Sequence, residues 1–136
     1  MKQKYRILIV DDDECIATTL KERLELEGYA VNTALNAEDA FLKICNEKYH
    51  VVLTEIVLPG KDAIDLLKQI KSYDTMTQVI MMTGCSTMDR ILSSLEYGAN
   101  DYILKPFKSI DEVISIIDCS TMKLERWRES IRQIVQ

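Results

Sequence analysis

Five side chains in this sequence are of types that could act together on a phosphate or a metal ion. They are Asp11, Asp12, Glu55, Thr83 and Lys105. Each follows or closes a short apolar run: Ile7-Leu8-Ile9-Val10 before the aspartates, Val51-Val52-Leu53-Thr54 before the glutamate, Val79-Ile80-Met81-Met82 before the threonine, and Tyr102-Ile103-Leu104 before the lysine. Three carboxylates brought close together either raise one another's pKa or require a cation. Hard oxygen ligands of this kind suit Mg²⁺, held by carboxylates, water and a phosphate. A lysine beside such a metal supplies a fixed positive charge for a bound anion, and the threonine offers that anion a hydroxyl. Together they would make a phosphoryl-transfer site, where positioning and charge neutralisation do most of the work.

Such a site needs a scaffold that brings four strand ends to one edge. The pattern is a βα unit repeated five times. Apolar runs near residues 5–10, 29–34, 51–55, 78–83 and 101–104 predict strands, since short apolar runs rich in β-branched residues fit buried strands. Helical spacing predicts helices over about 14–27, 37–46, 62–72 and 86–97, with a last one from near Ser109 to the end. In the first, Ile16, Leu20, Leu24 and Leu26 are expected on the inner face. Gly28 and Gly98 supply helix stops, Asn36 an N-cap, and Pro59-Gly60 a loop. This alternation predicts an α/β fold with a parallel sheet, helices on both faces and right-handed crossovers. Ligands bind such sheets at the C-terminal strand edge. A plain helix-cap role accounts well for Asp13 and Glu14, but less well for Asp11 and Asp12 at the strand end.

Size and composition bound the answer. The 136 residues suffice for one domain with a full core. With 47% hydrophobic and 29% charged residues the chain is expected to be globular and soluble. A net charge of −5 argues against a nucleic-acid surface, and no apolar run approaches a membrane span. The N-terminus lacks a signal-peptide pattern, so a cytoplasmic location is expected. Cys15, Cys45, Cys85 and Cys119 are scattered, which suggests reduced, buried thiols rather than a zinc site. The single histidine, His50, is expected to be a solvated residue at a strand start.

With these residues in view, the chain closely resembles the receiver domains of two-component response regulators, from about Arg6 to about Ile117. The motifs are Val-Asp-Asp at 10–12, Leu-Pro-Gly at 58–60, Met-Thr-Gly at 82–84 and Asp-Tyr-Ile-Leu-Lys-Pro-Phe at 101–107. The resemblance implies a flavodoxin-like, doubly wound five-stranded parallel sheet of order 2-1-3-4-5 with five helices. It implies that Asp11 and Asp12 bind Mg²⁺ with residue 55 and the backbone carbonyl of Val57. It further implies that Thr83 and Lys105 contact the phosphoryl group, that a cis-proline turn at Pro106 aims Lys105 inward, and that Tyr102 is the aromatic that reports the state of Thr83. The implied partners are a histidine kinase or phosphotransfer protein, and an output protein or domain engaged by the face of helix four, strand five and helix five.

The chain departs from the family at Glu55, where relatives carry the phosphoaccepting aspartate. One more methylene moves the carboxylate out by roughly 1.5 Å, and a misplacement near 1 Å can cost about a hundredfold in rate. Phosphoryl transfer to Glu55 is therefore expected to be impaired, with Glu55 reaching toward Thr83 and Lys105 as a partial imitation of a phosphoaspartate. That imitation could bias the domain toward its active arrangement or leave it unable to switch. Ala63 stands where many relatives have glycine, so a left-handed backbone there would be strained. Val57 and Cys85 occupy positions that tune phosphoryl lifetime. Two other readings stay open: a working phosphoacceptor, and a small Mg²⁺-dependent phosphatase or phosphotransferase. The second would need a pocket and a lid, and no insertion here is large enough to build one.

The expected division is a receiver domain over 1–122 and a helical extension over 123–136. Ile110, Ile117, Leu124 and Ile131 recur every seven residues, with Val113, Trp127 and Ile134 beside them. The extension would project roughly 20 Å. It either folds back or frays, or serves as a linker stub or an association helix for a homodimer.

Overall fold

The computed structural model describes residues 4–60, 62–84 and 87–135. Five strands, β1 (Arg6–Val10), β2 (Ala30–Ala34), β3 (Val51–Glu55), β4 (Gln78–Thr83) and β5 (Asp101–Leu104), alternate with five helices, α1 (Glu14–Leu26), α2 (Ala37–Asn46), α3 (Ala63–Tyr73), α4 (Met88–Glu96) and α5 (Ile110–Val135). The strands form one sheet of order β2-β1-β3-β4-β5, all parallel. This is the flavodoxin-like order.

Side-chain alternation divides each central strand between two cores. Ile7 and Ile9 of β1, Val51 and Leu53 of β3, and Ile80 and Met82 of β4 pack with Ala17, Leu20 and Leu24 of α1 and Val113 and Ile117 of α5. Leu8, Val10, Val52, Val79 and Met81 face the other way, onto Ala40 and Ile44 of α2 and Leu66, Leu67 and Ile70 of α3. Because both faces are covered, β1, β3 and β4 read as continuous apolar runs rather than as alternating ones. β5 is one of the two edge strands, and only its Ile103 is buried.

The first four helices start on side-chain caps. Asp13 accepts from the Cys15 and Ile16 amides, Asn36 from Asp39, Asp62 from Ile64 and Thr87 from Arg90. These caps satisfy N–H groups that a helix start otherwise leaves unpaired. Gly60 has φ +76°, so the loop's left-handed residue is a glycine. No described non-glycine residue has positive φ, and Ala63 opens α3 without the strain considered for it.

Several expectations need correction. Leu26 is 82% exposed, because the inner face of α1 is carried by Ala17, Leu20 and Leu24. Cys15, Cys45 and Cys119 are free thiols but exposed, each on an outward helix face; Cys85 lies outside the described residues. His50 is half-buried rather than solvated: its Nδ1 accepts the Arg6 amide N–H at 3.0 Å and its ring meets Tyr5 edge to face.

α5 runs unbroken through the division expected at residue 122. Leu124 is 4% exposed in the core and Trp127 packs against it. Two tyrosines fasten this half of the helix. Tyr29 donates to Asp118 and Tyr5 donates to Glu125, one heptad further on. Beyond Arg128 the helix leaves the domain, and Ile131, Ile134 and Val135 are exposed.

Candidate functional site

β1 and β3 are neighbours whose following helices pack on opposite faces of the sheet, so their C-terminal ends open a crevice at the topological switch point. Asp11 and Glu55 stand there. Asp11 is held in place through both its backbone and its side chain: its N–H donates to the Ala34 carbonyl at 3.1 Å, and its Oδ1 accepts the Asp13 N–H at 2.9 Å. Glu55 ends β3, and its Oε1 accepts the Val57 N–H at 3.3 Å.

Lys105 reaches both acids. Its Nζ donates to Asp11 Oδ2 at 2.6 Å and lies 2.7 Å from Glu55 Oε2. The Lys105–Pro106 peptide is cis, and the Lys105 N–H donates to the Thr83 carbonyl at 2.8 Å, tying the ends of β4 and β5 together. The lysine stem passes over Gly84, where a Cβ would come within 3.2 Å of Lys105 Cβ. A larger residue at 84 would push against the stem that carries the ammonium.

The site is nearly closed to water. Asp11 is 1% exposed and Glu55 7%, and two buried carboxylates without a cation would be strongly unfavourable. Burial by itself would lower the Lys105 pKa, but the Asp11 and Glu55 carboxylates outweigh it and hold the ammonium above the ordinary lysine range. The Glu55 contact is an ion pair rather than a well-directed hydrogen bond, and Oε2 has no hydrogen-bond partner. Among the described residues Thr83 Oγ1 is likewise buried without one.

The structure thus brings Asp11, Glu55 and Lys105 together, with Thr83 closing β4 at the same edge. Asp12 does not join them: its side chain is exposed at the start of the turn into α1. The expected close triad of carboxylates is therefore a pair bridged by a lysine. Among the described residues no group of three or more acidic, histidine or cysteine side chains is arranged to hold a metal. Val57 has its side chain exposed and its amide turned to Glu55. Tyr102, on the edge strand, is 40% exposed.

One residue of this edge is absent from the motif-based set. Arg90, in the first turn of α4, sends Nη2 to Asp62 Oδ1 at 2.8 Å and to the Ile56 carbonyl at 3.5 Å. In the sequence it is an ordinary charge on an amphipathic helix, and no local motif marks it.

Comparison with known proteins agrees with this geometry. Residues 7–118 match the family model of the response regulator receiver domain. The uncharacterized transcriptional regulatory protein YkoG of Bacillus subtilis (strain 168) is 36% identical over 115 residues, which are 85% of this chain and 50% of that protein. The regulatory protein AtoC of Escherichia coli (strain K12) is 34% identical over 131 residues, 96% of this chain and 28% of that protein. The crystal structure of a CheY-like response regulator receiver domain protein from Methanospirillum hungatei JF-1 superposes with a TM-score of 0.87 at 34% identity, covering 90% of this chain and 97% of that one. The chain spans half or less of the length of these two curated relatives. By its fold, its strand-end residues and these matches, the chain belongs to the response regulator receiver domain family.

Proposed function

We propose that this chain is a receiver of two-component signalling in which phosphoryl transfer to residue 55 is impaired and Glu55 imitates only half of a phosphoryl group's contacts. One observation carries the reading: Glu55 Oε2 sits 2.7 Å from Lys105 Nζ while Thr83 Oγ1 is buried without a hydrogen-bond partner. A phosphoryl group on a shorter aspartate would present oxygens to both the ammonium and the hydroxyl. The glutamate spends its extra methylene reaching the lysine and supplies nothing to the threonine. Tyr102 stays exposed. These features support a domain at rest rather than one held active.

The donor set suits Mg²⁺, since Asp11, Asp12, Glu55 and the Val57 carbonyl are all hard oxygen ligands. Asp12, exposed beside the crevice, would complete the set by turning in. A bound Mg²⁺ would neutralise the carboxylates and the charge on an incoming phosphoryl group. Lys105, already between Asp11 and Glu55, would hold the anion side. Glu55 then places its carboxylate about a bond length beyond the aspartate position, where in-line approach is lost.

Signalling would run through α4, β5 and α5 to an output protein or domain. On this face Met88, Leu92, Leu95, Tyr102 and Leu104 are exposed, a larger apolar group than isolated surface residues usually make. A histidine kinase or phosphotransfer protein is the upstream partner of the aspartate form. The α5 extension would serve as a linker or as a self-association helix. Ile131 and Ile134 continue its seven-residue stripe into solvent, and the AtoC match runs on into this segment. A cytoplasmic location goes with these partners.

The test is intact mass after incubation with Mg²⁺ and acetyl phosphate, run beside Glu55→Asp. Gain of one phosphoryl group by the variant alone supports the reading. Gain by the native chain overturns it, and peptide mapping then locates the accepting acid. Gain by neither refutes the assignment of Asp11, Asp12 and Lys105 to the site.

A further inference from the structure

The guanidinium of Arg90 joins three parts of the molecule that have no backbone hydrogen bond between them among the described residues. α4 is capped by Thr87, whose hydroxyl accepts the Arg90 N–H at 3.3 Å. From that first turn the side chain crosses to both ends of the loop between β3 and α3. At the near end it meets the carbonyl of Ile56, the residue directly after Glu55. At the far end it bonds Asp62 Oδ1, the same oxygen that caps α3 by accepting the Ile64 N–H at 2.9 Å. Ile56 is in turn bonded to the end of β4, its N–H donating to the Met82 carbonyl at 2.9 Å next to Thr83. One side chain therefore sets the start of α4 against the loop that carries Val57 and against the strand end that carries Thr83.

The clasp is incompletely satisfied. Arg90 Nε is buried with no hydrogen-bond partner, and a guanidinium cannot escape that by losing its charge. The contact holds because Asp62 is a strong acceptor: burial opposes its ionisation, but Arg90 and the Ile64 amide prevail and keep its carboxyl below the usual range. A contact with one donor left over is one that a modest gain elsewhere can undo.

We infer that Arg90 is a positioning residue that acts as a brake, its bond to Asp62 holding α4 against the β3–α3 loop in the arrangement with Thr83 unengaged and Tyr102 exposed. It rests on the reading of Thr83 and Tyr102 as the switch. Movement of Thr83 toward a phosphoryl group at residue 55 loads the adjacent Met82–Ile56 bond, and Arg90 resists that movement through its contacts to Ile56 and Asp62. Two states separated by a contact of this kind respond to its removal by a change in population.

The experiment uses the full chain carrying Glu55→Asp, labelled with fluorotyrosine. The Tyr102 resonance is identified by its loss in Tyr102→Phe. Mg²⁺ and beryllofluoride, a phosphoryl analogue, are titrated in. Arg90→Met keeps the side-chain stem and removes the fork. It is expected to lower the midpoint of the Tyr102 transition by about fivefold, the scale of a typical coupling between sites. Asp62→Asn keeps the capping oxygen, and it is expected to move the midpoint the same way. The double variant should shift no further than the larger single one, because both remove the Arg90–Asp62 bond.

An unchanged midpoint in Arg90→Met overturns the proposal, as does multiplication of the two effects in the double variant. If the Glu55→Asp parent does not respond to beryllofluoride at all, the phosphoacceptor reading of the site fails. The clasp is then judged by amide hydrogen exchange in the native chain, where Arg90→Met must speed exchange at Val57 and in the first turn of α4 while sparing β1. Uniform exchange across the domain would mean that Arg90 only stabilises the fold. Arg90→Lys, which keeps the charge and loses the second arm, should fall between native and Arg90→Met in whichever readout applies.

Discussion

Replacing Lys105 with methionine tests the electrostatics of the site directly. The ammonium sits 2.6 Å from Asp11 Oδ2 and 2.7 Å from Glu55 Oε2, and the two carboxylates are 1% and 7% exposed. Methionine nearly matches the lysine stem in volume, so packing against Gly84 is kept and the change is mainly one of charge. Removing one partner of a buried ion pair costs about 3–5 kcal/mol, because it strands the other. Here two like charges are stranded together. For a domain of this size total stability is about 7–20 kcal/mol, so the loss is a substantial part of it. Urea unfolding followed by the fluorescence of Trp127, the one tryptophan, reads the effect. With a slope of about 2 kcal/mol per molar urea, the midpoint should fall by about 1.5–2.5 M. Glu55→Gln in the Lys105→Met background should recover part of the loss by removing one stranded charge. A loss below about 1 kcal/mol, or no recovery in the double variant, would refute the view that Lys105 is what allows Asp11 and Glu55 to share this crevice.

Other outcomes follow from the same geometry. His50 carries a pKa lowered by burial first and then by Lys48, Arg128 and Arg6, so the unfolded chain takes up this proton more readily than the folded one. Stability should therefore decline as pH falls below about 6.5 toward the lower folded value and then level off with respect to this group. His50→Asn, whose amide oxygen can still accept the Arg6 N–H, should flatten that part of a pH series of thermal midpoints. Thr83→Val removes a buried hydroxyl that has no hydrogen-bond partner and should be neutral or stabilising by about 1 kcal/mol, while slowing phosphoryl gain in the Glu55→Asp protein. Truncation after Met122 removes Leu124 from the core together with the Tyr5–Glu125 bond, and should cost about 2–5 kcal/mol. Truncation after Ser130, which spares Leu124 and Trp127, should change stability by less than about 0.5 kcal/mol; chemical denaturation separates the two.

What the sequence made legible was whatever depends on local pattern. The five apolar runs, their alternation with helical spacing, and the glycine and asparagine signals determine the strands, the helices and their order to within a residue or two. The parallel arrangement then places Asp11, Glu55, Thr83 and Lys105 at one edge without any knowledge of contacts. What was not legible depends on side-chain direction. Asp11 and Asp12 are adjacent in sequence, yet one is buried against Lys105 and the other is exposed, because the backbone turns between them into the Asp13 cap. Leu26 fits a helical apolar stripe as well as Leu24 does, but the helix ends where no partner element covers it. His50 looks like a polar strand start; its ring nitrogen is taken up by the backbone of the neighbouring strand's first residue, a pairing that exists only once the sheet forms. Arg90 and Asp62 lie 28 residues apart, and nothing local marks them as a pair.

The same distinction explains why residue 55 matters more than its conservative appearance suggests. An aspartate and a glutamate carry the same charge, and in an exposed position the exchange would be mild. Just past the end of β3 the backbone is held by the Ile56–Met82 bond, and the Glu55 carboxylate is met by Lys105, which follows β5. The added methylene carries the carboxylate to the lysine. An ion pair forms that needs no phosphoryl group, and the charge that would draw one in is already neutralised. Thr83 receives nothing in exchange. On the function proposed above, switching requires one group to satisfy the lysine and the hydroxyl together, and Glu55 meets only the first requirement. The domain should therefore present its α4 and β5 surface in one arrangement whether or not a kinase is active. Comparing the Tyr102 environment in the native chain with that in Glu55→Asp, with and without a phosphoryl analogue, reads this directly: the native chain should match the untreated variant, and a match to the treated one would show that the longer acid activates the domain.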